Sequence, residues 1–127
     1  MAYALITGAA KGIGRAIAEE MAARNYNLLL VDIDEAGLAR TAQELNDKFT
    51  QFILTLTLDL SKRDAAESLW KWTQPYHKDL NIVINNAGYG LNGPFEKMGI
   101  DEQLNIIDVN IRAQLTIAHT FIPLLKT

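Results

Sequence analysis

Thr7-Gly8-Ala9-Ala10-Lys11-Gly12-Ile13-Gly14 follows directly on the apolar run 2–6, and this junction decides the fold. The pattern predicts a strand that breaks into a glycine-rich turn and then opens a helix. Gly8 permits a tight turn, Gly12 allows a ligand close to the backbone, and Gly14 allows the helix to pack on the strand. Because backbone N–H groups and the positive helix end converge there, the turn is expected to bind a pyrophosphate. The spacing G-x-x-x-G-x-G differs from G-x-G-x-x-G, so a plain strand-to-helix turn is the alternative.

The composition is that of an ordinary globular chain. Of its 127 residues, 49% are hydrophobic and 21% are charged, which favours a single domain over 1–127 with its own core. The net charge of -3 and the lack of any Lys or Arg block argue against a nucleic-acid partner. No apolar stretch reaches membrane-spanning length, so no membrane partner is expected. With no Cys and only 2 His, we expect no metal site and a cytoplasmic location.

Short apolar runs alternate with amphipathic segments along the chain. Strands are predicted over 2–7, 27–32, 52–58 and 80–85, and helices over about 12–24, 34–48, the segment after Ser61, and 101–127. The unbroken Leu28-Leu29-Leu30-Val31 run indicates a strand covered on both faces, whereas the alternation in 52–58 indicates a sheet edge. Asn25 is expected to end the first helix in the left-handed conformation, and Ser61 to cap the third. The order βαβαβαβα predicts a parallel α/β sheet with right-handed crossovers.

Polar residues follow three of the predicted strands. Asp32 ends the second strand, Asp59 follows the third, and Asn85-Asn86-Ala87-Gly88 follows the fourth. In an open parallel sheet, ligands bind outside the carboxyl ends of the strands, where the glycine turn also lies. The alternative for both aspartates is an ordinary turn residue at a strand end.

With these motifs in this order, the chain resembles the short-chain dehydrogenase/reductase family of nicotinamide oxidoreductases. The resemblance runs from T-G-x-x-x-G-I-G at 7–14 through N-N-A-G at 85–88 to Asp108-Val109-Asn110, and so covers essentially all 127 residues. It implies an α/β fold with a Rossmann-like, doubly wound parallel sheet, cut short here after about four strands. It also implies hydride transfer between a nicotinamide cofactor and an alcohol or carbonyl compound.

The resemblance further implies a role for each matching position. The turn that binds phosphates is matched by Gly8, Lys11, Gly12, Ile13 and Gly14. Asp32 matches the acceptor for the adenosine ribose hydroxyls, and Asp59 with Leu60 matches the pair beside the adenine ring. The main chain running beside the cofactor is matched by Asn86, Ala87 and Gly88. Asn110 matches a catalytic asparagine that helps to hold a water in the proton relay, with an ordinary polar helix residue as the alternative. Tyr89 and His119 receive no role.

Asp32 and Lys11 act in opposite directions on the choice between NAD(H) and NADP(H). The Asp32 carboxylate could make charge-assisted hydrogen bonds to ribose hydroxyls, worth roughly 1.5–3 kcal/mol each, and would repel a 2′-phosphate. Lys11 could attract that phosphate, but an exposed ion pair contributes only about 0–1 kcal/mol. We therefore expect NAD(H) to be preferred, with NADP(H) as the alternative cofactor.

The chain departs from the family pattern in its catalytic residues. The family's reaction uses a serine and a Tyr-x-x-x-Lys pair. The tyrosines here are Tyr3, Tyr26, Tyr76 and Tyr89, and the residues four positions later are Thr7, Leu30, Leu80 and Gly93. The match is therefore to the family's N-terminal, cofactor-binding half, and the chain alone is expected to be inactive. The alternatives are a non-catalytic dinucleotide-binding or self-associating module, or an excised half of a longer fold.

A sheet that stops after four strands leaves the fourth strand as an exposed edge. Unpaired backbone groups along such an edge can pair with another chain. The last helix would also lose part of the surface it packs on. We therefore expect a homo-oligomer, formed through the 80–85 edge or the 101–126 helix, with partial disorder of the chain as the alternative.

Overall fold

A computed structural model describes residues 1–127, and its elements follow the predicted alternation. The strands are β1 (Tyr3–Thr7), β2 (Asn27–Asp32), β3 (Ile53–Thr57) and β4 (Leu80–Ile84). The helices are α1 (Gly12–Ala23), α2 (Glu35–Lys48), α3 (Ala65–Thr73), α4 (Ile100–Ile107) and α5 (Gln114–Leu125), with a π-helical segment, Asp108–Ala113, joining the last two. Short 3₁₀ turns lie at Gln74–Tyr76 and Phe95–Lys97.

The strands form a single parallel sheet of 4 strands in the order β3-β2-β1-β4. β1 pairs with β2 from Tyr3 opposite Asn27 to Thr7 opposite Val31. On the other side of β2, pairing with β3 runs to Asp32 opposite Thr57. Parallel neighbours need a crossover connection, which α1 and α2 supply for the first three strands. The predicted parallel α/β fold is confirmed.

Helices cover both faces of the sheet. The first core lies between the sheet and α1 and α2, and includes Leu28 and Leu30. The second lies between the sheet and α3 and α5, and includes Leu29 and Val31. These four residues are fully buried. Because successive strand residues point to opposite faces, one unbroken apolar run supplies both cores, and the sheet is doubly wound.

β3 and β4 are the two edge strands. Thr55 and Thr57 of β3 are exposed, while Leu54 and Leu56 are half-buried against the second core, as the alternation predicts. β4 pairs with β1 alone, with a register shift after Tyr3. The expected open edge along β4 is therefore present.

Local hydrogen bonds explain the helix ends, with one correction. Asn25, two residues after α1, has a φ of 71°, the left-handed conformation expected of a residue that ends a helix. The expectation that Ser61 caps the third helix is wrong, because α3 begins only at Ala65. Ser61 instead donates its N–H and its hydroxyl to the carboxylate of Asp59. A carboxylate two residues away competes successfully with a helix terminus for this hydroxyl.

The last helical stretch runs from Ile100 to Leu125, close to the predicted 101–127, but it is less regular than the sequence predicts. Its π-helical segment places one extra residue in the turn between α4 and α5. Pro123 lies inside α5, which continues to Leu125. None of the helices combines the length and the apolarity that crossing a bilayer requires.

One face of this stretch is apolar and exposed. Six residues, which we call the apolar stripe, recur at helical spacing and are each 48–67% exposed: Ile100, Leu104, Ile107, Ile111, Leu115 and Ile122. The opposite face packs Ile117 and Phe121 into the second core. The stretch is therefore apolar on two sides, and only one of them is covered by the sheet.

Candidate functional site

A cavity of about 550 Å³ opens at the carboxyl ends of the strands. Its volume lies within the range of roughly 300–1,000 Å³ that is typical of small-molecule sites. Its lining comes from five separate stretches: Gly8, Lys11, Gly12, Ile13, Asp32, Ile33, Asp34, Leu58, Asp59, Leu60, Asn86, Ala87, Gly88, Tyr89, Asn105 and Val109. All the predicted site residues line this one cavity except Gly14 and Asn110, which lie against residues that do.

Two glycines let three segments of the chain approach one another. Gly8 has a φ of +69°, and a Cβ added to it would lie 2.8 Å from Nδ2 of Asn86. A Cβ added to Gly14 would overlap the carbonyl oxygen of Gly8. Larger residues at either position would push apart the turn, α1 and the loop after β4.

The start of α1 is open to the cavity. Gly12 has a φ of +61°, and no atom lies within 4 Å of a Cβ added there. Lys11, the N-cap residue, supplies no side-chain acceptor, and the first turn contains no acidic residue. The free N–H groups at this helix end, together with the helix dipole, favour an anion at this point of the cavity.

Asp32 is held by two backbone N–H groups. Its Oδ2 accepts from Ala10 at 2.9 Å, and its Oδ1 accepts from Asp34 at 2.9 Å. The bond to Ala10 ties the end of β2 to the glycine turn, so the carboxylate has a fixed position beside the helix amides. Each of its oxygens keeps a second lone pair for a donor in the cavity.

One oxygen of the Asp59 carboxylate is hydrogen-bonded within the chain, and the other accepts no hydrogen bond. Ser61 donates its hydroxyl at 2.7 Å and its N–H at 2.9 Å to Oδ1 of Asp59. The hydroxyl bond is the largest influence on the pKa of Asp59 and lowers it, outweighing the opposing effect of burial, and Lys62 lowers it further. Oδ2 lies 4.0 Å from the Lys62 ammonium. Asp59 therefore presents an ionised carboxylate to the cavity at neutral pH.

Thr7, which is fully buried, fixes the loop after β4. Its Oγ1 accepts from the N–H of Asn86 at 3.1 Å and from the N–H of Ala87 at 3.0 Å. The Asn86 side chain donates in turn to the Gly8 carbonyl at 3.2 Å. This loop and the glycine turn therefore form one continuous wall of the cavity.

Asn110 holds the main chain of Tyr89 from behind the cavity. Its Oδ1 accepts from the Tyr89 N–H at 3.0 Å, and its Nδ2 donates to the Tyr89 carbonyl at 2.7 Å. The Tyr89 hydroxyl, which received no role from the sequence, accepts from Nδ2 of Asn105 at 2.6 Å. A catalytic role for Asn110 stays a prediction.

The sequence does not predict six of the lining residues: Ile33, Asp34, Leu58, Tyr89, Asn105 and Val109. Ile33, Leu58 and Tyr89 adjoin predicted site residues, and Asp34 lies two positions from Asp32, so closeness to the strand ends is the signal that would find them. Asn105 and Val109 belong to the last helical stretch. Val109 stands inside the Asp108-Val109-Asn110 motif, whereas Asn105 lies in no recognisable motif. Only the packing of that stretch beside β4 brings them to the cavity.

Known proteins share both the sequence pattern and this fold. The family model described as short chain dehydrogenase matches residues 2–127. The (S)-acetoin-forming diacetyl reductase of Staphylococcus epidermidis is 34% identical over 108 residues, covering 85% of this chain and 42% of that protein.

Solved structures give the same picture. An alcohol dehydrogenase from the archaeon Thermococcus sibiricus, complexed with 5-hydroxy-NADP, has a TM-score of 0.89 at 32% identity, covering 99% of this chain and 54% of that one. A short-chain dehydrogenase from Sphingobium yanoikuyae in complex with NADPH has a TM-score of 0.87 at 29% identity, covering 97% of this chain and 48% of that one. The chain thus spans about half the length of the proteins it matches, or less.

Proposed function

The chain belongs to the short chain dehydrogenase family, and on that premise we propose that residues 1–127 form the dinucleotide-binding part of an NAD(P)-dependent oxidoreductase. The bound nicotinamide would supply or accept the hydride that is exchanged with an alcohol or carbonyl compound. One observation carries the proposal: the glycine turn, two carboxylates and the loop after β4 line a single cavity. An extended dinucleotide requires such a convergence of residues, whereas a plain strand-to-helix turn does not require it.

The adenosine and phosphate end of the cavity fits such a ligand. The open amides at the start of α1 would bind the pyrophosphate, and Lys11 would add positive charge. The fixed carboxylate of Asp32 would accept from the ribose hydroxyls. Asp59 is ionised, and its Oδ2, which accepts no hydrogen bond and lies 4.0 Å from the Lys62 ammonium, would accept from the exocyclic amine of adenine beside Leu60.

The other end of the cavity fits the nicotinamide half. The main chain of Asn86, Ala87 and Gly88 would border it, since these residues continue the wall that begins at the glycine turn. Two of the similar structures were solved with NADPH or an NADP derivative, which supports a nicotinamide ligand here. Asn110 is our candidate for the family's proton relay, with its side chain held by Tyr89.

We propose a preference for NAD(H), although those two similar structures hold NADP-type ligands. Asp32 supports it, because its carboxylate cannot turn away from a 2′-phosphate without breaking its bonds to Ala10 and Asp34. Lys11 is exposed, and an exposed charge offsets little of that repulsion.

Fluorescence titration of the chain with NADH and with NADPH tests both parts of this proposal. We expect both dinucleotides to bind, NADH more tightly than NADPH. Asp32→Asn should weaken NADH binding and remove the preference for NADH over NADPH. Asp64→Asn, the same substitution at an exposed residue with no side-chain hydrogen bond at its helix cap, should change neither. No binding of either dinucleotide at millimolar concentration would overturn the cofactor assignment. Tighter binding of NADPH would overturn the preference alone.

We also propose that these 127 residues do not catalyse hydride transfer to a ketone unaided. No tyrosine in the chain is followed four positions later by a lysine, and an unassisted phenol, with a pKa of about 10, is a poor proton donor at neutral pH. NADH oxidation by the chain alone in the presence of ketones, above the rate without protein, would overturn this part.

Self-association is the remaining part of the proposal. A continuous apolar stripe of six residues, each 48–67% exposed, is unusual for a monomer and favours a second copy as its cover. The open edge of β4 offers a second route. We place the assembly in the cytoplasm, as expected for a chain with no cysteine.

Sedimentation velocity over a range of concentrations distinguishes the two routes. If the stripe carries the contact, Ile111→Asp dissociates the oligomer and Asn81→Pro, on the exposed face of the β4 edge, leaves it intact. If the β4 edge carries the contact, Asn81→Pro dissociates the oligomer and Ile111→Asp leaves it intact. A wild-type monomer at all concentrations would overturn both routes.

A further inference from the structure

Gln114, the first residue of α5, is bonded to the loop after β4 by its main chain and by its side chain. Its carbonyl oxygen accepts from Nδ2 of Asn85 at 2.8 Å, and its Nε2 donates to the carbonyl oxygen of Ala87 at 3.0 Å. Gln114 is not among the residues that line the cavity. It reaches the cavity wall from behind, across 27 positions of sequence.

The peptide groups of Ala87 are held from two directions. Thr7 of β1 accepts from the N–H at 3.0 Å, and Gln114 of α5 donates to the carbonyl at 3.0 Å. One helical turn before Gln114, Asn110 holds both main-chain polar groups of Tyr89. The stretch 87–89 is thus hydrogen-bonded to the sheet and to the helix at Ala87 and to the helix at Tyr89. Gly88, between these two bonded residues, is exposed to the cavity.

We propose that Gln114 is a positioning residue of this site, whose amide sets where the main chain of Ala87 and Gly88 meets the nicotinamide half of the ligand. The identity of that ligand rests on the proposed function. The position requires a donor, because a carbonyl oxygen faces it. A methionine of similar length would leave that carbonyl without its partner, and a glutamate would place a carboxylate against it until the carboxyl group is protonated.

Gln103 of α4 provides a matched control. Its Nε2 also donates to loop carbonyls, at 3.0 Å to Met98 and 3.3 Å to Phe95. None of these three residues lines the cavity. Gln103→Met therefore removes the same kind of helix-to-loop bond without touching the wall that Gln114 holds.

The test compares wild type with Gln114→Met, Gln114→Glu and Gln103→Met, all in the full chain. NADH affinity is measured by fluorescence, and amide hydrogen exchange by mass spectrometry reports on 86–89 without ligand. We expect Gln114→Met to bind NADH about three- to tenfold more weakly, the effect of losing one neutral hydrogen bond. Its 86–89 amides should exchange faster, and Gln103→Met should match wild type in both measurements. Gln114→Glu should bind weakly at alkaline pH and approach wild-type affinity as the pH falls and the carboxyl group becomes a donor.

Each outcome decides the inference. Unchanged affinity and exchange in Gln114→Met, or equal losses in Gln114→Met and Gln103→Met, would overturn it. If Gln114→Met does not fold, the pH dependence of Gln114→Glu relative to wild type decides, and a flat ratio overturns the positioning role. If wild type binds no dinucleotide, the proposed function fails. The hydrogen-exchange rate of the 86–89 amides then decides whether Gln114 holds this loop. Faster exchange in Gln114→Met alone supports the inference, and an unchanged rate overturns it.

Discussion

Replacing Gly14 with alanine should destabilise the chain, although alanine is the better helix former. The added methyl group would overlap the Gly8 carbonyl oxygen and lie 2.6 Å from Nδ2 of Asn86, and those two groups are hydrogen-bonded to each other. Forcing a methyl group into a packed site costs about 1–3 kcal/mol. The helix propensity of alanine returns at most about 1 kcal/mol. Because the methyl group meets a backbone oxygen, which cannot swing aside, the cost falls in the upper half of that range, and we expect a net loss of about 1–2 kcal/mol in the free energy of unfolding.

Urea unfolding of three alanine variants isolates this steric effect. Gly90→Ala has open space and no positive φ, so its stability should equal that of wild type. Gly12→Ala also has open space but a φ of +61°, so it should lose about 1–2 kcal/mol from backbone strain. Its methyl group would also enter the cavity, so NADH binding should be lost. If Gly14→Ala proves as stable as Gly90→Ala, close packing of the turn on α1 is not the reason for glycine at that position.

Three further changes test the hydrogen bonds and charges around the site and core. Thr7→Val should lower the free energy of unfolding, measured with urea, by about 2 kcal/mol, because two loop amides lose their acceptor. Thr7→Ser keeps a hydroxyl at this position and should retain most of the wild-type stability. Ser61→Ala should raise the pKa of Asp59 toward its ordinary value of 3.8, measured by NMR titration, and an unchanged pKa would remove the hydroxyl as its cause. Burial lowers the pKa of His77 below 6.5, so the unfolded chain binds more protons and stability should fall as the pH drops below that value. His77→Gln should abolish this loss, and a wild type equally stable at neutral pH and about pH 5 would contradict it.

The sheet and most of the cavity could be predicted because they depend on local pattern. An apolar run such as Leu28-Leu29-Leu30-Val31 specifies a strand covered on both faces, and parallel order then brings every strand end to one edge. The use of individual polar groups could not be predicted in the same way. The Ser61 hydroxyl could accept from a helix N–H or donate to a nearby carboxylate, and its bond to Asp59 depends on the geometry of that turn.

Contacts between distant segments were beyond local pattern altogether. Asn105 meets Tyr89 across 16 positions, and Gln114 meets Ala87 across 27. Both contacts depend on how the last helical stretch lies beside β4 and on its π-helical turn. No periodicity in the sequence distinguishes that turn from continuous α-helix. The helix side of the cavity therefore appears only in the folded chain.

The main chain of the glycine turn and of the loop after β4 forms part of the candidate site, and several polar side chains hold that main chain in place. Thr7 and Gln114 fix Ala87, Asn110 fixes Tyr89, and Asp32 fixes the glycine turn. A backbone group can be displaced by substitution of its neighbours but not removed. Loss of one of these side chains should therefore weaken ligand binding only partly, because the remaining hydrogen bonds still limit how far the main chain moves. A methyl group at a glycine that faces the ligand occupies the ligand's own space, which no rearrangement of side chains relieves, and should abolish binding outright.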